Sequence, residues 1–148
     1  MKVYLVHHGD AVPADVDPQR PLSAEGRVGV ERVAVAAAQR AVKPAVVWHS
    51  GKLRTRQTAE AFWLACNPLA EFSAARGLQP TDPPERMADE MMGETRDIML
   101  VGHMPNIERL LRLLIERTAD GTTAFPTHGV VALEAIESRW AERWRIEG

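Results

Sequence analysis

The stretch Lys2-Val3-Tyr4-Leu5-Val6-His7-His8-Gly9-Asp10 runs from a short apolar segment directly into two histidines and a glycine. Residues 2–6 have the length and composition of a buried β-strand, whereas a buried helix would need a longer apolar pattern. The same arrangement recurs before His49 and before Gly102-His103. The chain therefore has three predicted strands, each of which runs into histidine.

Helical patterns separate these strands. Ser23 is a predicted N-cap, and Pro105 opens another helix after the third strand. Apolar residues recur at helical spacing in three groups, namely Val30, Val33, Ala34, Ala37 and Ala41, then Ala59, Phe62, Trp63 and Cys66, then Ile107, Leu110, Leu111, Leu114 and Ile115. The second to fifth predicted strands cover residues 45–48, 98–101, 129–133 and 144–146, and residues 77–84 form a predicted loop before a short helix.

This alternation predicts an α/β fold, with an open, mostly parallel sheet and helices on both faces, in a single domain over residues 1–148. In such sheets, ligands bind beyond the carboxyl ends of the strands. We therefore expect His7, His8, His49 and His103 to lie near one edge of the sheet.

The composition excludes several classes of function. The 148 residues include 18 basic and 20 acidic side chains, giving a net charge of −2, without the basic stripe of a nucleic-acid-binding protein. No apolar stretch approaches the roughly 20 residues of a membrane span, and the N-terminus does not resemble a secretion signal. The single cysteine, Cys66, can form no internal disulfide and falls on an apolar helical face. These features predict a cytoplasmic protein that binds neither nucleic acid nor membrane.

Three segments carry candidate chemistry. A neutral imidazole such as His8 is a nucleophile near pH 7, and Gly9 after it would let a tetrahedral group approach; a hydrogen-bonded structural histidine is the alternative. Arg54 falls in the first turn of a predicted helix, where free amides and a guanidinium bind anions, although a solvated arginine is the alternative. His103 could donate to a phosphoryl oxygen. No His-x-x-x-His spacing occurs, so no metal site is predicted.

Four segments follow one another in a recognisable order: Leu5-Val6-His7-His8-Gly9, His49-Ser50-Gly51-Lys52-Leu53-Arg54-Thr55-Arg56-Gln57-Thr58-Ala59, Gly77-Leu78 with Pro80-Thr81-Asp82, and Leu100-Val101-Gly102-His103. Together they resemble the histidine phosphatase superfamily, in particular its smallest branch, the SixA-like phosphohistidine phosphatases. The first segment resembles the Arg-His-Gly signature of the family and the second its next motif. The third resembles the central loop of the branch, and the fourth contains the match to the second catalytic histidine.

The resemblance implies a phosphatase reaction in two steps. His8 would match the nucleophile and take the phosphoryl group onto a ring nitrogen, and water would then hydrolyse this intermediate. Arg54 and His103 would complete the catalytic set. The implied phosphate-binding residues are His7, Gly9, Ser50, Arg54 and His103. No metal or organic cofactor is implied, and the substrate would be a phosphorylated protein (phosphohistidine) or a small phosphorylated molecule.

The sequence departs from the family pattern at His7, which stands where the signature has arginine. Arginine is charged at every relevant pH, whereas histidine is mostly neutral above about pH 7. We therefore expect weaker phosphate binding that strengthens toward mildly acidic pH, if bound phosphate raises the pKa of His7. The alternative is that the His7 side chain points away from the site.

The general acid is a second departure, because the region that carries it in larger members is short here. Asp82 and Glu85 are the candidates, as acids or as residues of a substrate loop, and Asp10 could orient His7 or the loop. A phosphohistidine substrate would need a strong acid less, since imidazole leaves more easily than an alkoxide.

Three functions remain open from the sequence. The leading one is a phosphohistidine phosphatase; the second is a small-molecule phosphomonoesterase or mutase of the same superfamily. The third is a weakened domain that only binds phosphorylated partners. Thr127 and His128 precede the fourth predicted strand, and a surface or turn position is favoured for His128 over a place in the site.

Overall fold

The computed structural model describes residues 1–115 and 124–148. Along the chain the elements are β1 (Lys2–His7), α1 (Ala24–Gln39), β2 (Val46–His49), α2 (Leu53–Cys66), β3 (Glu71–Ala74), α3 (Pro84–Met91), β4 (Ile98–Gly102), α4 (Asn106–Ile115), β5 (Val130–Ile136) and β6 (Arg139–Ile146). The strands form one sheet in the order β3-β2-β4-β1-β5-β6. The first four strands are parallel, and β5 and β6 are antiparallel to their neighbours. The predicted α/β class with a mostly parallel sheet is confirmed.

Helices cover both faces of this sheet, as predicted. Successive residues of a strand point to opposite faces, so Tyr4 and Val6 of β1 pack in the core under α1 and α2. Val3 and Leu5 pack in the other core, under α3 and α4. Because both cores are continuous across the central strands, the strand ends are held in fixed relation to one another.

The chain after β1 is fastened to the start of α1. Ser23 caps α1 by accepting a hydrogen bond from the Gly26 amide at 2.9 Å, and its own hydroxyl donates to Asp10 Oδ2 at 2.7 Å. A β-carbon on Gly26 would lie 2.0 Å from the backbone oxygen of Asp10. Only glycine therefore permits this close approach. The predicted cap is confirmed, and the capping residue also anchors the loop that follows His8.

Two strands differ from the prediction. The sequence analysis missed β3, whose residues are mostly exposed and pair on one side only, with β2. An exposed edge strand has no buried face, so the alternation of apolar and polar residues is weak. Residues 144–146 proved to be the end of a longer strand, β6.

The cysteine and the membrane prediction are also addressed by the structure. Cys66 is half-buried at the end of α2 and packs against the first core. Burial raises the pKa of its thiol to about 11, which leaves it without nucleophilic character at neutral pH. Of the helices formed by the described residues, none has the length and hydropathy needed to cross a membrane.

Candidate active site

The parallel strands bring the predicted histidines to one edge of the sheet. In the register of the sheet, His7 is paired with Gly102 and His49 with Val101. The rings of His8 and His103 have centroids 5.0 Å apart, and those of His7 and His8 are 4.6 Å apart. His49 is instead occupied locally: its Nδ1 accepts from the Gly51 amide at 3.0 Å. The cluster therefore contains His7, His8 and His103 but not His49.

His8 has its ring proton fixed by the backbone. Its Nδ1 lies 2.7 Å from the carbonyl oxygen of Gly9, and a carbonyl can only accept, so Nδ1 carries the proton. In the neutral ring Nε2 therefore holds the lone pair. Burial lowers the pKa of His8 to about 4; the bond to Gly9 opposes this, and the charge of Arg54 adds to it. At neutral pH the ring is uncharged and Nε2 is ready to act as a nucleophile.

Gly9 differs from its predicted role. Its amide donates to Thr58 Oγ1 at 3.0 Å, and its carbonyl is bonded by the His8 ring, so neither group is free for phosphate. A β-carbon on Gly9 would lie 2.4 Å from Cγ2 of Val30 in α1. The glycine thus makes room for a helix rather than for a tetrahedral group, and its carbonyl holds the His8 ring in one tautomer.

Arg54 lies in the first turn of α2, as predicted. Its Nε is buried and has no hydrogen-bond partner among the described residues. Burial, and then the nearby charge of Arg20, lower the pKa of the guanidinium. A buried donor without a partner costs roughly 1–3 kcal/mol, and more when the group is charged. An oxyanion bound at this position would remove that cost.

His103 ends a chain of hydroxyl groups. Its Nε2 lies 2.7 Å from Ser50 Oγ, which lies 2.7 Å from Thr55 Oγ1, which donates to the Lys52 carbonyl at 2.7 Å. Because the Thr55 proton is used by the carbonyl, Ser50 donates to Thr55 and His103 donates from Nε2 to Ser50. Nδ1 of His103 is buried and has no hydrogen-bond partner within residues 1–115 and 124–148. Reversing both hydroxyls would move the ring proton to Nδ1 and turn it into a donor.

The role of Ser50 therefore differs from that predicted, because its hydroxyl is engaged by His103 and Thr55 rather than being free for phosphate. His103 itself is almost entirely buried, with 2% of its surface exposed. Burial lowers its pKa to about 3, and the charges of His8 and Arg54 add to the effect. Like His8, it is neutral near pH 7.

His7 also has a fixed tautomer. The backbone amide of His128 donates to His7 Nδ1 at 2.8 Å, so the neutral ring carries its proton on Nε2. Burial lowers the pKa of His7 to about 3, with smaller contributions from His8 and His128. His7 is therefore a neutral donor between about pH 5.5 and 8 in the free protein. This weakens the expectation that phosphate binding strengthens toward acidic pH.

Ring nitrogens of His7, His8 and His128 lie within 4.8 Å of one another, a grouping that sequence spacing did not predict. A metal would need an unprotonated nitrogen from each ring. The unprotonated nitrogen of His7, Nδ1, already accepts a hydrogen bond from the His128 amide, and the other nitrogen, Nε2, carries the proton. His8 and His128 each hold the proton on Nδ1, toward a carbonyl oxygen, so only their two Nε2 atoms keep a free lone pair. The hydrogen bonds therefore leave two nitrogens of this cluster for a metal instead of three.

The two candidate acids lie in different places. Asp82 Oδ2 accepts from the Gln79 amide at 3.0 Å, and Gln79 Nε2 donates to the Ser50 carbonyl, which ties this loop to the site. Asp82 and Ser50 line one cleft of about 470 Å³. Glu85 lines a different groove, beside Trp140. Asp10 is bonded by Ser23 and by no ring of the cluster.

Arg20 was not predicted from the sequence, whereas the turn position favoured for His128 is confirmed, with its ring beside His7 and His8. The charge of Arg20 acts on both His8 and Arg54, and its Nε donates to the Val12 carbonyl at 3.0 Å. His128 Nδ1 lies 2.6 Å from the His8 carbonyl oxygen. Both residues come from loops, where no periodic pattern predicts the direction of a side chain.

No protein-family model matches the sequence, and a search of curated proteins found no match. Solved structures do match. The protein histidine phosphatase SixA complexed with tungstate has a TM-score of 0.85 and 21% identity, covering 99% of this chain and 97% of that one. The protein assigned as the phosphohistidine phosphatase SixA of Agrobacterium tumefaciens has a TM-score of 0.81 and 26% identity, with the same coverage. A phosphoserine phosphatase from Entamoeba histolytica, in complex with phosphoserine, has a TM-score of 0.69 and 13% identity, covering 97% and 95%. The resemblance to the histidine phosphatases is confirmed.

Proposed function

We propose that this protein is a phosphohistidine phosphatase that works through a covalent intermediate on His8. The observation that carries the proposal is the state of His8: a buried, neutral ring whose Nδ1 proton is held by the Gly9 carbonyl. It lies next to His103 and to the Nε of Arg54, which has no hydrogen-bond partner in the part of the chain that the structure describes. A neutral nucleophile beside an unsatisfied cationic donor is an arrangement suited to phosphoryl transfer.

The reaction would proceed in two displacements. The lone pair on His8 Nε2 attacks phosphorus, the bond from phosphorus to the leaving nitrogen breaks, and the leaving imidazole takes a proton from solvent. Water then attacks the phosphoryl group on His8, the phosphorus–nitrogen bond breaks with its electrons returning to Nε2, and the proton of the water passes to solvent. Arg54 and His7 stabilise the charge on the transferred oxygens. His103 does so once the Ser50 and Thr55 hydroxyls have reversed and its ring proton lies on Nδ1.

The charges around the nucleophile favour a phosphorus–nitrogen bond as the one that is cleaved. The charged groups that shift the pKa values of His8 and His103 are all basic. Asp82 is bonded to its own loop and Glu85 lines another groove. An alkoxide leaves slowly without an acid, whereas a phosphorylated imidazole needs less help.

A small-molecule phosphomonoesterase is a second candidate. The cleft of about 470 Å³ beside Ser50 is also lined by Arg76 and Arg86, and two arginines suit a small substrate with a second acidic group. Comparing kcat/KM for phosphohistidine and for small phosphate esters separates the two. A higher value for the esters would favour this alternative.

Trapping of the phosphoenzyme tests the proposal. With a phosphorylated-histidine substrate and an alkaline quench, which preserves phosphohistidine, label should appear on the parent and vanish in His8→Ala. His49→Asn is the matched control, since His49 also ends a buried strand but lies outside the cluster, and it should keep the label. His7→Arg should raise the label. If no variant carries label while inorganic phosphate still binds, the protein is a phosphate-binding domain.

A further inference from the structure

His128 lies in the turn before β5 and contacts both His7 and His8, which are called the histidine pair below. Its backbone amide donates to His7 Nδ1 at 2.8 Å, and its ring Nδ1 donates to the carbonyl oxygen of His8 at 2.6 Å. Its ring is stacked on that of His7, with centroids 4.9 Å apart and planes 8° apart. One residue thus makes three separate contacts with the pair.

These contacts fix the tautomer and orientation of the His7 ring and the position of the His8 peptide. The amide of His128 occupies the lone pair of His7, which leaves the His7 proton on Nε2. The stacked ring limits rotation of the His7 ring. The bond to the His8 carbonyl fixes the peptide that carries the nucleophile. Removing the His128 ring would keep the amide hydrogen bond to His7, but it would free the His7 ring to rotate and the His8 peptide to move.

The backbone of His128 supports a functional reading. Its φ is 55°, in the left-handed region that favours glycine. This conformation is strained for a residue with a β-carbon. Such strain persists where the surroundings hold a residue in place, and it is concentrated at functional sites. Glycine or asparagine would fit this backbone with less strain, yet the position holds histidine.

We propose that His128 is a positioning residue that makes His7 work in place of arginine, by fixing its proton on Nε2 and its ring over the site while holding the backbone of His8. This role rests on the proposed phosphatase function. His7 then donates one neutral hydrogen bond to a phosphoryl oxygen, in the place where the family signature has a guanidinium.

Two substitutions that suit the backbone separate position from strain. His128→Gly removes the ring and keeps the amide, and should lower kcat about 10- to 100-fold with a smaller change in KM, as expected when reacting groups are misplaced by about 1 Å. His128→Asn can still donate to the His8 carbonyl from Nδ2 and should recover part of the loss. Glu137→Gly is the matched control, because Glu137 has a φ of 57° in the turn between β5 and β6. It should leave kcat unchanged.

A double-mutant cycle tests whether His128 acts through the pair. In the His7→Asn background, His128→Gly should cost much less than in the parent, because the ring it orients is gone. Additive losses, or a kcat for His128→Gly within about twofold of the parent, would overturn the proposal.

Two binding measurements keep the proposal testable even if the phosphatase function fails. In ¹⁵N spectra of the parent, His7 should be protonated on Nε2, and an Nδ1-protonated His7 would refute the role. Tungstate, as a phosphate mimic, should bind His128→Gly about 10-fold more weakly than Glu137→Gly. Equal tungstate affinity would also refute it. Absence of phosphoenzyme in the parent, with these two results as expected, would reject the phosphatase function alone.

Discussion

Acid should destabilise this protein through its buried histidines. Burial lowers the pKa of His7 to about 3, of His8 to about 4 and of His103 to about 3. In the unfolded chain each titrates near 6.5. Below that pH the unfolded state binds protons that the native state does not, so stability is complete above about pH 6.5 and falls as the pH drops toward 4.

The size of this effect follows from linkage. Each histidine removes about 1.4 kcal/mol of stability per pH unit below 6.5, which is about 2 kcal/mol at about pH 5. Three such residues together remove about 6 kcal/mol, a large part of the roughly 5–15 kcal/mol that stabilises a typical domain. His8→Asn should make the pH dependence shallower by about one proton, or about 1.4 kcal/mol per pH unit.

Urea unfolding followed by tryptophan fluorescence, at several values between about pH 7.5 and 5, measures this slope for the parent and for His8→Asn. Histidine proton resonances of the native protein give an independent test. His8 and His103 should show no titration above about pH 5. If either titrates near its ordinary range, or if both proteins lose stability with the same slope, the assignment of buried neutral rings is refuted.

Three further changes test the packing and polarity of the site. A β-carbon on Gly26 would meet backbone at 2.0 Å, whereas one on Gly29 would meet nothing within 4 Å; Gly26→Ala should lower the melting temperature and activity, and Gly29→Ala should raise stability by about 0.5–1 kcal/mol. Thr55→Val breaks the hydroxyl chain behind His103, so kcat should fall about 10-fold and ¹⁵N spectra should show mixed His103 tautomers. Arg54→Lys loses the planar fork, so calorimetry should show the phosphate Kd rising about 10-fold. Equal stabilities of Gly26→Ala and Gly29→Ala would contradict the first expectation. An unchanged kcat of Thr55→Val would contradict the second, and an unchanged phosphate Kd of Arg54→Lys the third.

The central strands could be predicted because their residues are buried on both faces. Residues of β1 and β4 form continuous apolar runs, and a run of that length indicates a buried strand. β3 has one neighbour and mostly exposed residues, so nothing in its composition distinguishes it from a loop. That residues 1–148 form one domain stays a prediction.

The candidate site could be predicted only where it depends on strand ends. His8 and His103 follow parallel neighbours, β1 and β4, so their proximity follows from the fold class. Arg20 and His128 reach the site from loops, whose direction depends on tertiary contacts. The proton positions were also inaccessible, because each depends on a backbone group or hydroxyl that only the folded chain brings to the ring. Those positions change the roles of Gly9 and Ser50 from contacts with phosphate to supports for the two histidines.

In the proposed reaction, the burial of His8 would have a catalytic value that does not come from its lowered pKa. A histidine with an ordinary pKa of about 6.5 is already about three-quarters neutral at pH 7, so lowering the pKa to about 4 raises the nucleophilic fraction only about 1.3-fold. The larger effect is electrostatic: where water is excluded, the attraction between Arg54 and the transferred oxygens is stronger than at the surface. Neutral histidines add donors there without adding like charges beside Arg54. In the proposed reaction, the acid sensitivity of the fold would therefore be the thermodynamic cost of a site in which one cation and several oriented neutral rings hold the phosphoryl group.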